Sequence, residues 1–281
     1  MKKMKKVWFI TGTGKGIGCA IANAALKAGD FVVATTRKEN AFPIPKGYED
    51  NALNLTLDVS DPNQEAYIAA AEQAVSRFGR IDILVNNAGH GRITNFEETC
   101  EENIRELFEV NFFGLMRVTR AVLPIMRRQH SGYIFNIASG AGYAPGPAAY
   151  HSSKFAVTGF STALAFEVAP FGIKVTNVVP GMVRTNFYDK GAMCTEPDLS
   201  IPDYDAYRWQ DDFMKANSNH EQAGDPEKIA KLILEVSETE SAPLHLPVTA
   251  DAVHTLKEWQ EGISECVDQW GYKAAQTSFE E

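Results

Sequence analysis

Short apolar runs alternate along this chain with stretches in which apolar residues recur at helical spacing. Runs of four to six mainly apolar residues predict buried strands at residues 7–10, 31–34, 53–57, 81–85, 133–138 and 174–179. Spacings of three and four residues, typical of a helix with one apolar face, predict helices at residues 17–27, 62–78, 104–126, 152–168 and from 225 onward. Asp61 and Pro62 are suited to the N-cap and first position of the second helix. This alternation predicts an α/β fold: a doubly wound, mainly parallel sheet with helices on both faces.

Two segments depart from the alternation. Residues 39–51 stand where a helix is expected after the second strand, and residues 186–223 form a long insertion. Long insertions in compact domains commonly act as lids or binding loops, so we predict that this one covers the substrate. The insertion is rich in large side chains that either line a pocket or pack against the sheet: Phe187, Tyr188, Met193, Tyr204, Tyr207, Trp209, Phe213 and Met214.

No linker, repeat or low-complexity stretch divides the 281 residues, so a single domain is expected over residues 1–281. A short last strand is predicted at residues 244–248, and a polar, acidic helical tail is predicted over residues 250–281.

Charge and composition exclude several classes of partner. The chain has 27 basic and 36 acidic side chains, a net charge of −9, and an acidic protein repels a phosphate backbone, so no nucleic-acid partner is expected. The apolar runs are far shorter than the roughly 20 residues of a membrane span, and no apolar signal segment follows the lysine-rich start. We therefore expect a cytoplasmic protein with no membrane partner.

The acidic side chains are concentrated in residues 194–281, which carry 19 of them against six basic ones. The remainder is weakly basic and can hold an anionic ligand without an opposing field. The four cysteines form no C-x-x-C pair, and the six histidines show no zinc-ligand spacing. Reduced thiols and no metal site are therefore predicted.

A glycine-rich turn, Thr11 to Gly18, lies between the first predicted strand and the first predicted helix. Glycines at this junction allow a tight turn and let the backbone approach a pyrophosphate at the helix N-terminus, where free N–H groups favour anions. An ordinary strand–helix turn has a similar composition, but the position favours dinucleotide binding.

The residues after the second predicted strand bear on the choice of dinucleotide. An acidic residue there would bond the adenosine ribose and repel a 2′-phosphate, but the chain has Thr35-Thr36-Arg37-Lys38. Arg37 can pair bidentately with a phosphate, and Lys15 in the glycine-rich turn can add a second cation. Either side chain alone could be a solvated surface charge, whereas the two positions together favour NADP(H).

Tyr150 and Lys154 stand one helical turn apart after the fifth predicted strand. Residues at i and i+4 share a helix face, so the phenol and the ammonium can approach one ligand together. A neighbouring cation lowers the pKa of a phenol from its reference value near 10, which suits proton exchange with an alkoxide. Such pairs also occur on ordinary exposed helices, so the surrounding residues decide the interpretation.

Polar or glycine-rich segments follow several strands of the predicted sheet. Asn86 to Gly89 follow the fourth strand, Ser139 follows the fifth and Pro180 to Thr185 end the sixth, while Asn111 lies in the long helix. The carboxyl ends of parallel strands meet at one edge, where ligands of open α/β sheets bind. The sequence therefore predicts a ligand site at this edge.

In this combination and order the chain resembles the short-chain dehydrogenase/reductase superfamily, in its compact single-domain branch. The matching motifs, which run from about residue 7 to 185, are Thr11-Gly-x-x-x-Gly-x-Gly18, Asp58-Val59, Asn86-Asn-Ala-Gly89, Asn111, Ser139, Tyr150-x-x-x-Lys154 and Pro180-Gly181. The basic pair Arg37 and Lys15 resembles NADP(H)-preferring members.

The resemblance implies a Rossmann-type fold and a role for each matching residue. Tyr150 would be the general acid/base, and Lys154 would lower its pKa and hold the nicotinamide ribose. Ser139 would bond the substrate oxygen, and Asn111 would anchor a water in a proton relay. Cofactor contacts are implied for Gly12, Thr13, Gly16, Ile17 and Gly18 at the phosphates and ribose, Asp58 and Val59 at the adenine, Asn86, Ala88 and Gly89 at the riboses, and Pro180, Gly181, Val183 and Thr185 at the carboxamide.

The expected function is an NADPH-dependent carbonyl reductase that also works in reverse as a secondary-alcohol dehydrogenase. The insertion favours an apolar or aromatic ketone, and the resemblance implies a homodimer or homotetramer through the helices of Asn111 and Tyr150. Two alternatives remain open: an NAD-dependent alcohol dehydrogenase of the same fold and a non-catalytic NADP(H)-binding sensor.

Overall fold

The structure, a computed structural model, describes residues 4–189, 193–207 and 220–279. Seven strands form a parallel sheet in the order β3-β2-β1-β4-β6-β7-β9. Along the chain the strands are β1 (Val7–Thr11), β2 (Phe31–Thr36), β3 (Ala52–Thr56), β4 (Ile83–Asn86), β5 (Gly91–Arg92), β6 (Gly132–Ile137), β7 (Ile173–Val179), β8 (Met193–Cys194) and β9 (His245–Pro247). The chain runs outward from β1 to β3 and then crosses back to β4, so the strand order reverses between β1 and β4. Ligands of open α/β sheets bind at the carboxyl ends of strands beside such a reversal.

Helices cover both faces of the sheet, as the alternation predicted. They are α1 (Gly16–Lys27), α2 (Gln64–Phe78), α3 (Glu101–Phe108), α4 (Leu115–Gln129), α5 (Ala148–Val168), α6 (Pro226–Ser237) and α7 (Ala250–Ala275). One core layer joins the sheet to α1 and α6, and the other joins it to α2, α4 and α5. Strand β1 supplies both layers, because Trp8 and Ile10 point into the first and Val7 and Phe9 into the second. The predicted doubly wound fold is confirmed.

The predicted boundaries of several elements are wrong, two of them for identifiable reasons. Helix α5 begins at Ala148 rather than at Ser152. Helix α2 begins at Gln64 rather than Pro62, and its N-cap is Asn63, whose side chain accepts the Glu65 N–H, rather than Asp61. Strand β4 begins at Ile83 rather than Ile81. The Gln129 side chain accepts the Ile81 N–H (3.1 Å) and donates to the Ile81 carbonyl (2.7 Å), so a side chain takes the place of a neighbouring strand.

The single long helix predicted over residues 104–126 is also wrong. Its place is taken by α3, a π-helical turn at Glu109–Gly114 and α4, so the helical region extends from residue 101 to 129. At the end of this turn the backbone passes close to the loop after β3: a Cβ on Gly114 would lie 2.3 Å from the Val59 carbonyl oxygen. A π-turn inside a helix commonly marks a functional site.

The sequence did not predict the two-stranded parallel sheet of β5 and β8, which are only two residues long. This small sheet joins the segment after β4 to the insertion at 186–223. Residues 39–51 contain no α-helix, as predicted, and end in the short 3-10 turn Glu49–Asn51. Trp209, Phe213 and Met214 of the predicted lid, and the side chain of Tyr207, lie outside the described part of the structure.

The last strand and the helical tail are confirmed as β9 and α7. Within the described ranges, no helix combines the length and apolar character needed to cross a bilayer.

Candidate active site

The glycine-rich turn has a backbone shape and close contacts that only glycine allows. Gly12 and Gly16 have φ values of 71° and 63°, in the left-handed region. A Cβ on Gly12 would lie 2.9 Å from Ala88 Cα, and one on Gly18 would lie 2.3 Å from Asn87 Nδ2. The turn is therefore packed directly against the segment that follows β4.

Hydrogen bonds fix this turn to its neighbours. The N–H groups of Gly12 and Thr13 both donate to the Thr35 carbonyl of β2 (3.0 and 3.2 Å). Asn87 Nδ2 donates to the carbonyls of Thr11 (2.9 Å) and Gly12 (3.1 Å). Asn87 was not singled out from the sequence, although its position in the Asn86-to-Gly89 segment after a strand was the available signal.

Thr11 holds the segment after β4. In this segment the Asn86 side chain points into the protein interior and the Asn87 side chain contacts the glycine-rich turn. The Thr11 hydroxyl accepts the N–H groups of Asn87 (2.9 Å) and Ala88 (3.0 Å). Asn86 points inward instead, and its Nδ2 donates to Thr119 Oγ1 (2.9 Å) and Asn136 Oδ1 (2.8 Å). Because its side chain is bonded in the interior, only the backbone of Asn86 is available for the predicted cofactor contact.

The N-terminus of α1 fits an anionic group. Lys15 is its N-cap residue in an extended conformation, without a side-chain cap, and the first turn contains no acidic residue. Lys15 and Arg37 are both exposed, whereas the Ile17 side chain packs against the core. We call residues 11–18 the glycine cradle. Its glycines and the uncapped helix N-terminus beside it fit a dinucleotide pyrophosphate.

Asp58 and Val59, which follow β3 after Leu57, are placed at the same sheet edge. Asp58 Oδ1 accepts both the N–H (2.9 Å) and the hydroxyl (2.7 Å) of Ser60, which fixes its carboxylate. Val59 is buried against the π-turn.

Tyr150 and Lys154 are both buried on α5, with 8% and 7% of their surfaces exposed. Lys154 Nζ donates to the Ile137 carbonyl at the end of β6 (3.2 Å) and lies 5.9 Å from the Tyr150 ring centroid. The Ser139 side chain hydrogen-bonds Tyr150, and Ser139 Oγ also accepts the Ala141 N–H (3.1 Å). The structure thus brings the predicted Ser139, Tyr150 and Lys154 together.

The expected lowering of the Tyr150 pKa is wrong. Burial raises the pKa of Tyr150 to about 12, and the hydrogen bond from Ser139 offsets only part of that rise. Burial also lowers the pKa of Lys154 to about 8, because the charged ammonium is removed from water. The phenol is therefore protonated at neutral pH and has a proton to donate.

Asn111 lies in the π-turn and is 2% exposed. Its amide pairs with the backbone of His90: Oδ1 accepts the His90 N–H and Nδ2 donates to the His90 carbonyl, both at 3.0 Å. Nδ2 also reaches Ser153 Oγ (3.2 Å), which donates to the Tyr150 carbonyl (2.7 Å). Asn111 therefore ties the segment after β4 to the start of α5. A Cβ on Gly89 would lie 3.1 Å from Asn111 Oδ1 and 3.7 Å from Lys154 Nζ.

The segment from Pro180 to Thr185 runs along the same edge. The Pro180 carbonyl accepts the Gly140 N–H (2.8 Å), and Val183 forms a bridge with Gly224. Two side chains at the start of α7 hold the following backbone: Thr249 Oγ1 accepts the Gly181 N–H (2.9 Å) and Asp251 Oδ2 accepts the Met182 N–H (2.7 Å). Neither residue was predicted from the sequence, because the residues at the start of a helix do not show which loop their side chains contact.

Thr185 lies beside the glycine-rich turn. A Cβ on Gly16 would be 3.5 Å from Thr185 Cβ. The Thr185 hydroxyl accepts the Phe187 N–H (3.2 Å) and caps the 3-10 turn Asn186–Tyr188, the first element of the insertion.

Apolar side chains pack around Tyr150. Ile93, Leu107, Tyr188 and Met193 are buried in one cluster with it, and the Phe187 ring centroid is 6.3 Å from that of Tyr150. The predicted lid residues Phe187, Tyr188 and Met193 therefore do line the site, whereas Tyr204 bonds Glu97 (2.9 Å).

Polar contacts fasten the insertion over this cluster. Asp198 accepts bonds from Arg92 (3.3 Å), Asn103 (2.7 Å) and the Cys100 N–H (2.8 Å). Glu98 Oε1 accepts the Ile201 N–H (3.0 Å). No sequence motif indicated these anchors, which join residues about a hundred positions apart. Among the described side chains, no group of three His, Cys, Asp or Glu is placed to hold a metal ion.

Comparison with known proteins identifies the family. A family model described as short chain dehydrogenase matches residues 6–192. Oxidoreductase BOA17 of Botryotinia fuckeliana (strain B05.10) is 40% identical over 271 residues, which cover 95% of this chain and 97% of that protein. The chain belongs to the short-chain dehydrogenase/reductase superfamily and is an oxidoreductase of that family.

Solved structures share the fold. A short-chain dehydrogenase from Streptomyces avermitilis is 39% identical with a TM-score of 0.88, covering 98% of this chain and 100% of that one. A 3-ketoacyl-(acyl-carrier-protein) reductase from Brucella melitensis, complexed with NADH, is 26% identical with a TM-score of 0.72, covering 86% and 96%. ElxO with NADP bound is 28% identical with a TM-score of 0.72, covering 89% and 100%.

The Gly18 contact predicts a specific loss. We expect Gly18→Ala to lower the free energy of unfolding by about 1–3 kcal/mol, since its Cβ overlaps Asn87 and the Gly12 carbonyl, and to weaken dinucleotide binding. Gly271→Ala is the control: it lies within α7, where a Cβ makes only an ordinary contact with Val267 at 3.7 Å, and should stabilise by at most about 1 kcal/mol. Urea unfolding and dinucleotide titration of both variants check this. Equal effects would contradict the packing argument.

Proposed function

We propose that this protein is an NADPH-dependent carbonyl reductase that converts a ketone or aldehyde to an alcohol and also runs in reverse. The observation that carries the proposal is the buried Tyr150 phenol, bonded to Ser139 and neighboured by Lys154, at the sheet edge that also holds the glycine cradle. Lys154 and the Pro180-to-Thr185 segment would hold a dinucleotide whose pyrophosphate lies at the glycine-rich turn, and the chemistry it would supply is a hydride for the carbonyl carbon.

The side chains supply and direct the proton. The Ser139 hydroxyl and the Tyr150 phenol both donate hydrogen bonds to the carbonyl oxygen, which polarises the bond and positions the carbon. As negative charge develops on that oxygen, the phenol transfers its proton to it. The Lys154 ammonium then stabilises the phenolate that forms, since a phenolate is costly in so buried a place.

The choice of NADP(H) over NAD(H) is supported by charge. Lys15 and Arg37 are exposed beside the turn and at the end of β2, where a 2′-phosphate would lie, and Arg37 stands where an acidic residue would favour NAD. Relatives bind either form: the Brucella reductase structure contains NADH and the ElxO structure contains NADP.

The substrate is proposed to be an apolar or aromatic ketone of moderate size. The cluster of Phe187, Tyr188, Met193, Ile93 and Leu107 makes the surroundings of the phenol apolar. A charged substrate would lose hydration there without a partner in the cluster.

The proposed working form is a cytoplasmic homodimer or homotetramer assembled through the helical region of Asn111 and α5. Phe113 and Phe166 support this, because 44% and 87% of their surfaces are exposed on these elements. Aromatic residues are enriched at subunit interfaces relative to the rest of a protein surface.

Removal of the phenol hydroxyl tests the proton donor. We expect Tyr150→Phe to lower kcat about 100- to 10,000-fold while NADPH binding persists, because only the proton donor is lost. Tyr133→Phe is the matched control, since its hydroxyl bonds Thr176 at the opposite end of β6. Steady-state kinetics and fluorescence titration check both, and near-parental turnover of Tyr150→Phe would exclude the assigned role.

Charge reversal at the end of β2 tests the cofactor. Arg37→Asp should shift the ratio of kcat/KM for NADPH over NADH by at least about tenfold toward NADH, because a charged hydrogen bond to the 2′-phosphate is lost. Lys38→Asp makes the same charge change one residue later and should shift the ratio far less. An unchanged ratio in Arg37→Asp places the 2′-phosphate elsewhere, and a native preference for NADH favours the NAD-dependent alternative.

The lowered pKa of Lys154 predicts a pH dependence. The ammonium is charged below about pH 8 and loses its charge above it, whereas the phenol stays protonated up to about pH 12. NADPH affinity should therefore fall as the pH rises through about 8 in both the parent and Tyr150→Phe. Equilibrium titration across this range checks it, and an affinity that is flat with pH in both proteins would show that Lys154 keeps its charge.

A further inference from the structure

The tail helix α7 is attached to the protein only through its first turns. Ala252 is buried, and the Trp259 ring contacts Phe155 (5.4 Å between centroids) and Tyr143 (6.4 Å). Beyond this point the helix continues to Ala275, and its described residues are exposed except for the half-buried Gly271. More than half of the helix therefore has no packing partner among the residues that the structure describes.

The projecting part carries an apolar stripe. Trp259, Ile263, Val267 and Trp270 recur every three or four residues and are 41%, 51%, 61% and 53% exposed, with the exposed thiol of Cys266 among them. Residues at this spacing share one helix face. Contiguous exposed apolar surface of this kind marks an interaction site.

The amino-acid composition of the projecting part of α7 does not favour a helix that stands alone in water. Gly262 and Gly271 each disfavour a helix by about 1 kcal/mol relative to alanine, and Ile263 and Val267 are β-branched. An isolated helix is marginal in water, and most helical stability in proteins comes from burial of an apolar face. The stripe is the face available for burial.

The order of residues identifies the partner as a second copy. From residue 259 the chain reads Trp-Gln-Glu-Gly-Ile-Ser, and the next six residues, read backward from 270, are Trp-Gln-Asp-Val-Cys-Glu. An antiparallel copy related by a two-fold axis between Ser264 and Glu265 would place Trp259 opposite Trp270 and Ile263 opposite Cys266. A two-fold contact needs such self-complementarity.

We propose that residues 259–270 of α7 pair in antiparallel fashion with the same segment of a second copy. The residues flanking the stripe, Gln260, Gly262 and Gln269, are uncharged, so like charges do not meet at the seam. The acidic side chains lie at other positions on the helix and remain in water: Glu258, Glu261, Glu265 and Asp268. An acidic outer face also disfavours an anionic lipid surface as the partner.

This pairing is separate from the assembly proposed through Asn111 and α5, and it does not depend on the proposed reaction. Two different two-fold contacts in one chain generate a closed tetramer when their axes intersect at right angles. The loss of one contact halves the assembly.

One substitution on the stripe tests the pairing. Sedimentation velocity of the full chain should show that Ile263→Asp halves the mass of the assembly, since two carboxylates would be buried at the seam. Ser264→Asp adds the same charge beside it, off the stripe, and should keep the parental mass. An unchanged mass for Ile263→Asp, or an equal loss in both variants, overturns the proposal. Ile263 is exposed, so the fold is expected to persist, and circular dichroism confirms this.

Cross-linking tests the register. Chains with Ile263→Cys and Cys266→Ser are co-expressed with tagged parental chains and treated with a short bismaleimide. A mixed cross-linked pair is expected, because the thiol introduced at position 263 would face Cys266 of the other copy. Glu261→Cys with Cys266→Ser, on the outer face, is the control. The absence of a mixed pair, or equal yields from both, contradicts the antiparallel register.

Discussion

The burial of one ammonium group organises the candidate active site. Lys154 is removed from water beside Tyr150, and burial lowers its pKa to about 8. The hydrogen bond from Lys154 Nζ to the Ile137 carbonyl at the end of β6 offsets part of the hydration that the ammonium loses on burial. This arrangement requires β6 to end at that point, α5 to start directly over the sheet edge, and Gly89 to leave room near the ammonium. The π-turn serves the same end, because it aims Asn111 at the His90 backbone and at Ser153 beneath Tyr150.

The second constraint is the contact between the glycine-rich turn and the segment after β4. Side chains are excluded at Gly12 and Gly18 because Asn87 and Ala88 occupy that space. Residues 86–89 therefore connect the glycine-rich turn to the site of Tyr150 and Lys154. Asn87 and Ala88 contact the turn, and Gly89 lies against Asn111. The start of α7 completes the edge through Thr249 and Asp251, so the helix with the exposed stripe also supports the backbone of Gly181 and Met182.

The sequence could predict what depends on local pattern. Buried strands, amphipathic helices, the glycine-rich turn and the Tyr150–Lys154 spacing all have local signatures, and they lie where expected. Contacts between distant residues have none: Gln129 replaces a strand at Ile81, and Asp198 joins the insertion to Arg92 and Asn103. The π-turn was missed because apolar periodicity continues through residues 104–126. The direction of the Tyr150 pKa was wrong because spacing shows a neighbouring cation but not the depth of burial, and burial is the larger effect here.

Hydride transfer from NADPH to a carbonyl carbon at this sheet edge is the central proposal for this protein. The most direct test follows the absorbance band of the reduced nicotinamide with NADPH and NADH separately, across a panel of small, aliphatic and aryl ketones. We expect oxidation of NADPH by at least one apolar or aryl ketone, with NADH used less well. Binding of NADPH without oxidation by any ketone, or turnover with NADH alone, would contradict it.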